Sequence, residues 1–148
     1  MEIERKYVID RLPEGYASHP SRLIEQGYLS TDPVVRVRRD GSSFYLTYKS
    51  KGLMAREEYN LPLTEESYLH LLAKAGGNIL TKRRYLIPIE GTALTVELDV
   101  FSGKFEGLVL AEVEFPDEET ANAFTAPAWF GREVTFTGEY QNSRLSQL

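Results

Sequence analysis

The sequence predicts a mainly-β α+β domain, antiparallel in its sheet, with a barrel as the best architecture. Three observations point there. About eight segments alternate polar and apolar residues with a period of two. Turn signals such as Asp40-Gly41 join neighbouring segments at hairpin distance. Only two stretches carry helical spacing, too few for a helix between every pair of strands.

The first segment, Glu2 to Ile9, sets Glu2, Glu4 and Lys6 on one face and Ile3, Arg5, Tyr7 and Ile9 on the other. Pro13, Gly15 and Pro20 make 10–21 a loop. A second strand is expected over 22–30, interrupted at Gly27. The turn at Asp32-Pro33 leads into a strand over 34–39, and Asp40-Gly41 turns the chain back into 44–49. A further short strand spans 55–61. Over 64–75 the period changes to that of a helix: Thr64 suits the N-cap, Glu65 and Glu66 the first turn, and Gly76-Gly77 the stop. Its apolar stripe combines Tyr68, Leu69, Leu71, Leu72 and Ala73, a packing surface. Strands follow over 79–89, 93–101 and 108–115. A short helix is expected from Pro116-Asp117 to Phe124, then a last strand over 132–137 and a polar tail.

At 148 residues, 42% hydrophobic and 26% charged, the chain reads as one soluble domain, 1–148. No apolar run reaches membrane-spanning length, and the opening residues lack the basic-then-apolar order of a signal peptide. A cytoplasmic protein without membrane contact is expected. The absence of cysteine excludes disulfides, thiolate metal sites and a cysteine nucleophile. A net charge of −5 argues against duplex nucleic acid as partner. Any anion must be met by a local concentration of the 17 Lys and Arg. Oligomeric state is left open.

Sorting the strands by parity gives the functional signal. Arg36 and Arg38 share a face, as do Thr47 and Lys49, Arg56 and Glu58, Lys82 and Arg84, Glu97 and Asp99, and Glu112 and Glu114. A sheet face merely turned to water would mix Ser, Thr, Gln, Lys and Glu, with both signs along each strand. Here whole strands are acidic or basic, and like charges two residues apart repel unless something of opposite sign lies between them. Closing the sheet with these rows inside makes a polar bore. Clustered carboxylates suit a hard cation such as Mg²⁺ or Mn²⁺, and clustered Arg and Lys suit phosphoryl oxygens. Together they equip a site for phosphoryl transfer.

Glu2-x-Glu4-x-Lys6 resembles the ExExK signature of the CYTH superfamily, the triphosphate tunnel metalloenzymes. The likeness extends through Arg36-x-Arg38, Lys49, Arg56-x-Glu58, Lys82-x-Arg84, Glu97-x-Asp99 and Glu112-x-Glu114, nearly the whole chain. It implies a closed eight-stranded antiparallel β-barrel with two or more flanking helices, acting on triphosphates with a divalent metal, Mg²⁺ or Mn²⁺. Carried over by position, Glu2, Glu4 and Glu114 would hold the metal, with Glu112 and Asp99 beside it or holding a second ion or water. Lys6, Arg36, Arg38, Lys49, Arg56, Lys82 and Arg84 would grip the triphosphate. Glu58 and Glu97 would orient those cations or the attacking water, and with Lys6 and Lys82 form the expected catalytic set.

The family's implied activities include inorganic, thiamine and RNA 5′-triphosphatases and class IV adenylate cyclase. The chain is short, with little loop from which to build a base pocket, and resembles the small single-domain prokaryotic type. It lacks the histidine-aromatic pair associated with the cyclase branch; His19 and His70 fall in a loop and a helix, as surface or packing residues. Hydrolysis of inorganic triphosphate to pyrophosphate and phosphate is the expected activity. The alternatives are a cyclase, another triphosphatase and a non-catalytic polyphosphate-binding module. Tyr28, Tyr45 and Tyr140 are candidates for substrate contact or for packing.

Overall fold

The computed structural model describes residues 1–76, 79–146 and 148. Nine strands are found among them: β1 (Glu2–Val8), β2 (Ser21–Thr31), β3 (Val34–Asp40), β4 (Ser43–Lys49), β5 (Ala55–Arg56), β6 (Glu58–Pro62), β7 (Ile79–Pro88), β8 (Thr95–Phe101) and β9 (Val109–Glu114). All pairings are antiparallel, in the order β5-β1-β9-β8-β7-β2-β3-β4-β6. The two ends of that order, β5 and β6, are separated in the chain by Glu57 alone. The strand expected over 55–61 is thus broken into two pieces, one on β1 and one on β4, and it draws the sheet into a nearly closed barrel. Ser50 causes the break: its hydroxyl accepts from the Glu57 N–H at 2.8 Å, and its own N–H donates to the Glu57 carbonyl at 3.0 Å.

The strand expected over 132–137 is not formed. Only an isolated bridge joins Glu133 to Tyr7. The segment instead seals the edge of β1 that β5 leaves open. Val8 N–H donates to the Arg132 carbonyl and Val134 N–H to the Lys6 carbonyl, both at 2.8 Å. The Lys6 N–H goes to the Thr135 hydroxyl at 2.8 Å, a side chain standing where a strand would offer backbone. Gly131 must be glycine here, because a Cβ would lie 2.3 Å from the Val8 carbonyl oxygen.

The first helix, α1 (Glu65–Leu72), is capped by Thr64, whose hydroxyl accepts from the Ser67 N–H, and continues as a 3-10 turn over Ala73–Ala75. Gly77 lies outside the described residues. The buried side of α1 is turned from the expected stripe: Tyr68 is fully buried, its hydroxyl donating to Glu25 at 2.7 Å, while Leu69 is 51% exposed. Gly27 does not interrupt β2. A Cβ there would stand 2.8 Å from Leu72 and 2.9 Å from Ala75, so the glycine is where the helix lands on the barrel wall. Two shorter helices follow, α2 (Glu118–Ala123), capped by Asp117, and an unexpected α3 (Asn142–Leu145).

Parity places the core outside the barrel. Ile3, Tyr7, Val96, Leu98, Ala111 and Val113 form the outward rows of β1, β8 and β9, continued by Phe115 and covered by Ala121, Phe124, Trp129 and Phe130. Arg5 belongs to that apolar row and is clamped by Glu133 at 2.6 and 2.7 Å and by the carbonyl of Ala121 at 2.8 Å. Tyr28, Leu80, Phe101 and Leu110, on the inward rows, form a second cluster with Leu145 of the C-terminal helix.

Candidate active site

The inward rows bring the sequence-predicted residues into one place. A cavity of about 120 Å³ is lined by Glu2, Glu4 and Lys6 from β1, Arg36 and Arg38 from β3, Lys49 from β4, Arg56 and Glu58 around the β5–β6 break, Arg84 from β7, Glu97 from β8, and Glu112 and Glu114 from β9. The register explains the gathering: Glu4 lies opposite Glu114, Lys6 opposite Glu112, and Glu112 opposite Glu97. Lys82 and Asp99 share the inward parity but lie deeper, fully buried and outside the lining.

Most of these charges are paired across the bore. Asp99 accepts from Arg84 Nε and Nη2 at 2.8 and 2.9 Å and stands 2.6 Å from the Lys82 ammonium. Arg84 also reaches Glu97 at 3.0 Å and Glu112 at 3.5 Å, and Lys6 lies 3.3 Å from Glu112. Lys49 is 3.0 Å from Glu2 and 3.4 Å from Glu58, and Arg56 is 3.6 Å from Glu2.

Four charges stand apart among the described residues. Arg36 and Arg38, only 4% and 5% exposed, have no carboxylate within 4 Å. Arg36 meets the Tyr28 hydroxyl at 3.5 Å, its Nε buried without a partner, and Arg38 donates its Nε to Gln26 at 2.7 Å. On the opposite wall, Glu4 and Glu114 have no cation within 4 Å.

Protonation follows this pattern. Burial, with the charges of Glu112 and Glu2 beside it, pushes Glu4 up to about 8. Burial and the nearby Glu2, Glu97 and Glu58 raise Glu114 as well. Burial also acts on Glu112, but Lys6, Arg84 and Lys82 outweigh it and hold Glu112 well below the usual carboxylate range. Glu58, though burial works against its charge, is lowered by hydrogen bonding with Glu2 and by Lys49. Burial brings Lys82 down to about 8 despite Asp99. Burial and the positive neighbours Arg36 and Arg84 lower Arg38 too.

A CYTH domain profile matches residues 1–148. The chain belongs to the CYTH domain family. CYTH relatives include the inorganic triphosphatase of Nitrosomonas europaea, 38% identical over 98% of this chain and 96% of that protein. The inorganic triphosphatase of Acetivibrio thermocellus is 39% identical over 97% of this chain and 92% of that one. A crystal structure of an inorganic triphosphatase superposes with a TM-score of 0.75 at 34% identity, covering all of this chain and 95% of the other. A putative adenylate cyclase from Bacillus halodurans shares the fold, with a TM-score of 0.59 at 19% identity over 82% of this chain and 84% of that one. The barrel expected from the sequence is thus the CYTH fold.

The structure adds lining residues that charge-based reading passed over. Asn60 joins Thr47 at 2.6 Å and Glu58 at 3.3 Å, and Asn142 and Ser143 enter from α3. Tyr28 and Tyr45 line the cavity, whereas Tyr140 packs against the apolar cluster and offers its carbonyl to Lys6 at 3.1 Å. His19 and His70 are absent from the lining. Among the described residues, no three acids or histidines are gathered as a ready metal cluster, and Glu2 is turned to Lys49 and Arg56.

Proposed function

We propose that this protein hydrolyses inorganic triphosphate to pyrophosphate and phosphate within the barrel. One observation carries the reading: two buried arginines without acid partners face the same cavity as two glutamates without cation partners. A guanidinium charge buried in this way is costly unless a ligand completes it, and Glu4 meets the same cost by holding its proton. A polyanion completes the arginines, and a hard divalent cation completes the glutamates. The names of the two relatives support the same substrate.

Glu4 and Glu114 fit such a cation by donor chemistry, carboxylate oxygen, and by the burial that, with the neighbouring charge of Glu2, raises both. Glu2, Glu4 and Glu114 would hold Mg²⁺ or Mn²⁺, with Glu112 and Asp99 nearby, and the ion would withdraw charge from phosphoryl oxygens. Arg36 and Arg38 would hold the chain of phosphates by their guanidinium forks, assisted by Lys6, Lys49, Arg56 and Arg84. Lys82 acts from beneath, through Asp99, on the position of Arg84. Glu58 and Glu97 stand at the more open side of the cavity, their side chains 24% and 23% exposed. An ionised Glu58 can accept a hydrogen bond from the water that attacks a terminal phosphorus in line, while the cations stabilise the departing pyrophosphate.

The test is a product assay. Tripolyphosphate and ATP are supplied separately with Mg²⁺ or Mn²⁺, and the products are separated by ion exchange. Pyrophosphate and phosphate in equal amounts from tripolyphosphate are expected. Cyclic AMP from ATP with tripolyphosphate untouched would reverse the assignment, and tight binding without turnover would make the site a polyphosphate receptor.

A further inference from the structure

Five of the bore's seven cations have an acid within 4 Å: Lys6, Lys49, Arg56, Lys82 and Arg84. Arg38 has a neutral partner instead. Gln26, on β2 and directly opposite Arg38 in the register, is fully buried and takes no part in the cavity lining. Its Oε1 accepts the Arg38 Nε hydrogen at 2.7 Å, while its own Nε2 is buried without a partner among the described residues. Burying an amide with half its hydrogen-bonding capacity unused is unfavourable, and a leucine or methionine would fill the space without that penalty.

The geometry points to Gln26 as a positioning residue that fixes the Arg38 fork toward the bound triphosphate without neutralising it. This rests on the proposed triphosphatase activity. Engaging Nε anchors the plane of the guanidinium and leaves its two terminal nitrogens for the ligand. An acid at position 26 would anchor the plane equally well, but would place a negative charge against the cation that has to attract a polyanion. The amide thus separates two tasks that a carboxylate would set against each other: aiming the arginine and keeping its charge available.

Steady-state kinetics on tripolyphosphate with Mg²⁺ decide the matter, using Gln26→Met, Gln26→Glu, Arg38→Ala and the double variant Gln26→Met/Arg38→Ala, with thermal unfolding as the fold control. Gln26→Met should raise KM about tenfold, and Gln26→Glu more than that, with smaller changes in kcat. The Gln26→Met change should add less than about twofold in the Arg38→Ala background, because an anchor without its arginine has nothing to aim. A KM within twofold of wild type in both single variants would overturn the proposal. So would an equal penalty with and without Arg38, which would mark Gln26 as packing alone. A wild-type chain that neither binds nor cleaves tripolyphosphate would remove the proposed function and this inference with it, a result distinct from an active wild type indifferent to position 26.

Discussion

As the proposed phosphate-binding pair, Arg36 and Arg38 would trade stability for function. Each is a buried guanidinium without a carboxylate among the described residues, in a bore where Lys6, Lys49, Arg56, Lys82 and Arg84 each have one. Removing such a charge together with its buried amide partner relieves the desolvation of both, so Gln26→Met/Arg38→Met should stabilise the ligand-free protein by about 1–3 kcal/mol in denaturant unfolding while lowering tripolyphosphate kcat/KM by at least about 100-fold. A variant that is both less stable and fully active would contradict this view of Arg38. Glu4 supplies the matching case on the acidic wall. Its folded pKa of about 8 lies above the ordinary glutamate value of 4.5, so the folded state holds a proton that the unfolded state releases between those values. Stability of the metal-free protein is then present below about 4.5 and is lost as pH rises toward about 8. The slope for a single proton approaches about 1.4 kcal/mol per pH unit. Glu97 and Glu114, also raised, add to the same trend, whereas Lys82, lowered to about 8, acts only above that pH. Glu4→Gln should flatten the decline between pH 5 and 8; an unchanged slope would show that Glu4 is not the proton holder.

Elements have to meet one another as well as form, and Gly27 is where that requirement is sharpest. With Leu72 and Ala75 at 2.8 and 2.9 Å from a built Cβ, Gly27→Ala should lift α1 from the barrel and cost about 1–3 kcal/mol, measured by chemical denaturation. Because the glycine faces away from the bore, KM for tripolyphosphate should stay within about twofold of wild type. The sequence carried the parity of the barrel strands clearly, since a period of two needs only local information. It also gave the Thr64 cap, whose partner Ser67 is three residues away. Other features were illegible because their causes lie far along the chain. The break at Glu57 is made by Ser50, the edge at 132–137 is taken by the Thr135 side chain, and α3 has only four residues on which to display a period. At the site, the charged lining stood out by residue type. Gln26 shared the inward parity but had no charge to announce it, and its meaning depends on Arg38 across the register.

At the scale of the whole molecule, the proposed function asks a protein of net charge −5 to bind a strongly negative substrate, and charge segregated within the barrel would answer it. Unpaired arginines on β3 and unpaired glutamates on β1 and β9 open onto one cavity of about 120 Å³. A cation at one wall and an anion at the other would then lie within a few ångströms, in surroundings that screen charge poorly. Each should strengthen the binding of the other, and the coupling is reciprocal by linkage, on the order of 1–3 kcal/mol. Thermal unfolding in four conditions measures it: no addition, Mg²⁺ alone, a non-hydrolysable imido analogue of tripolyphosphate with chelator, and both together. The shift with both ligands should exceed the sum of the separate shifts. Free Mg²⁺ alone should stabilise more at pH 8 than at pH 6, because it has to displace the Glu4 proton at the lower pH. In Arg38→Met the excess should shrink while the response to Mg²⁺ alone persists, since that change leaves the acidic wall intact. Strictly additive shifts in the wild type would mean that the two walls act as separate sites, and the charge pattern of the bore would then need another explanation.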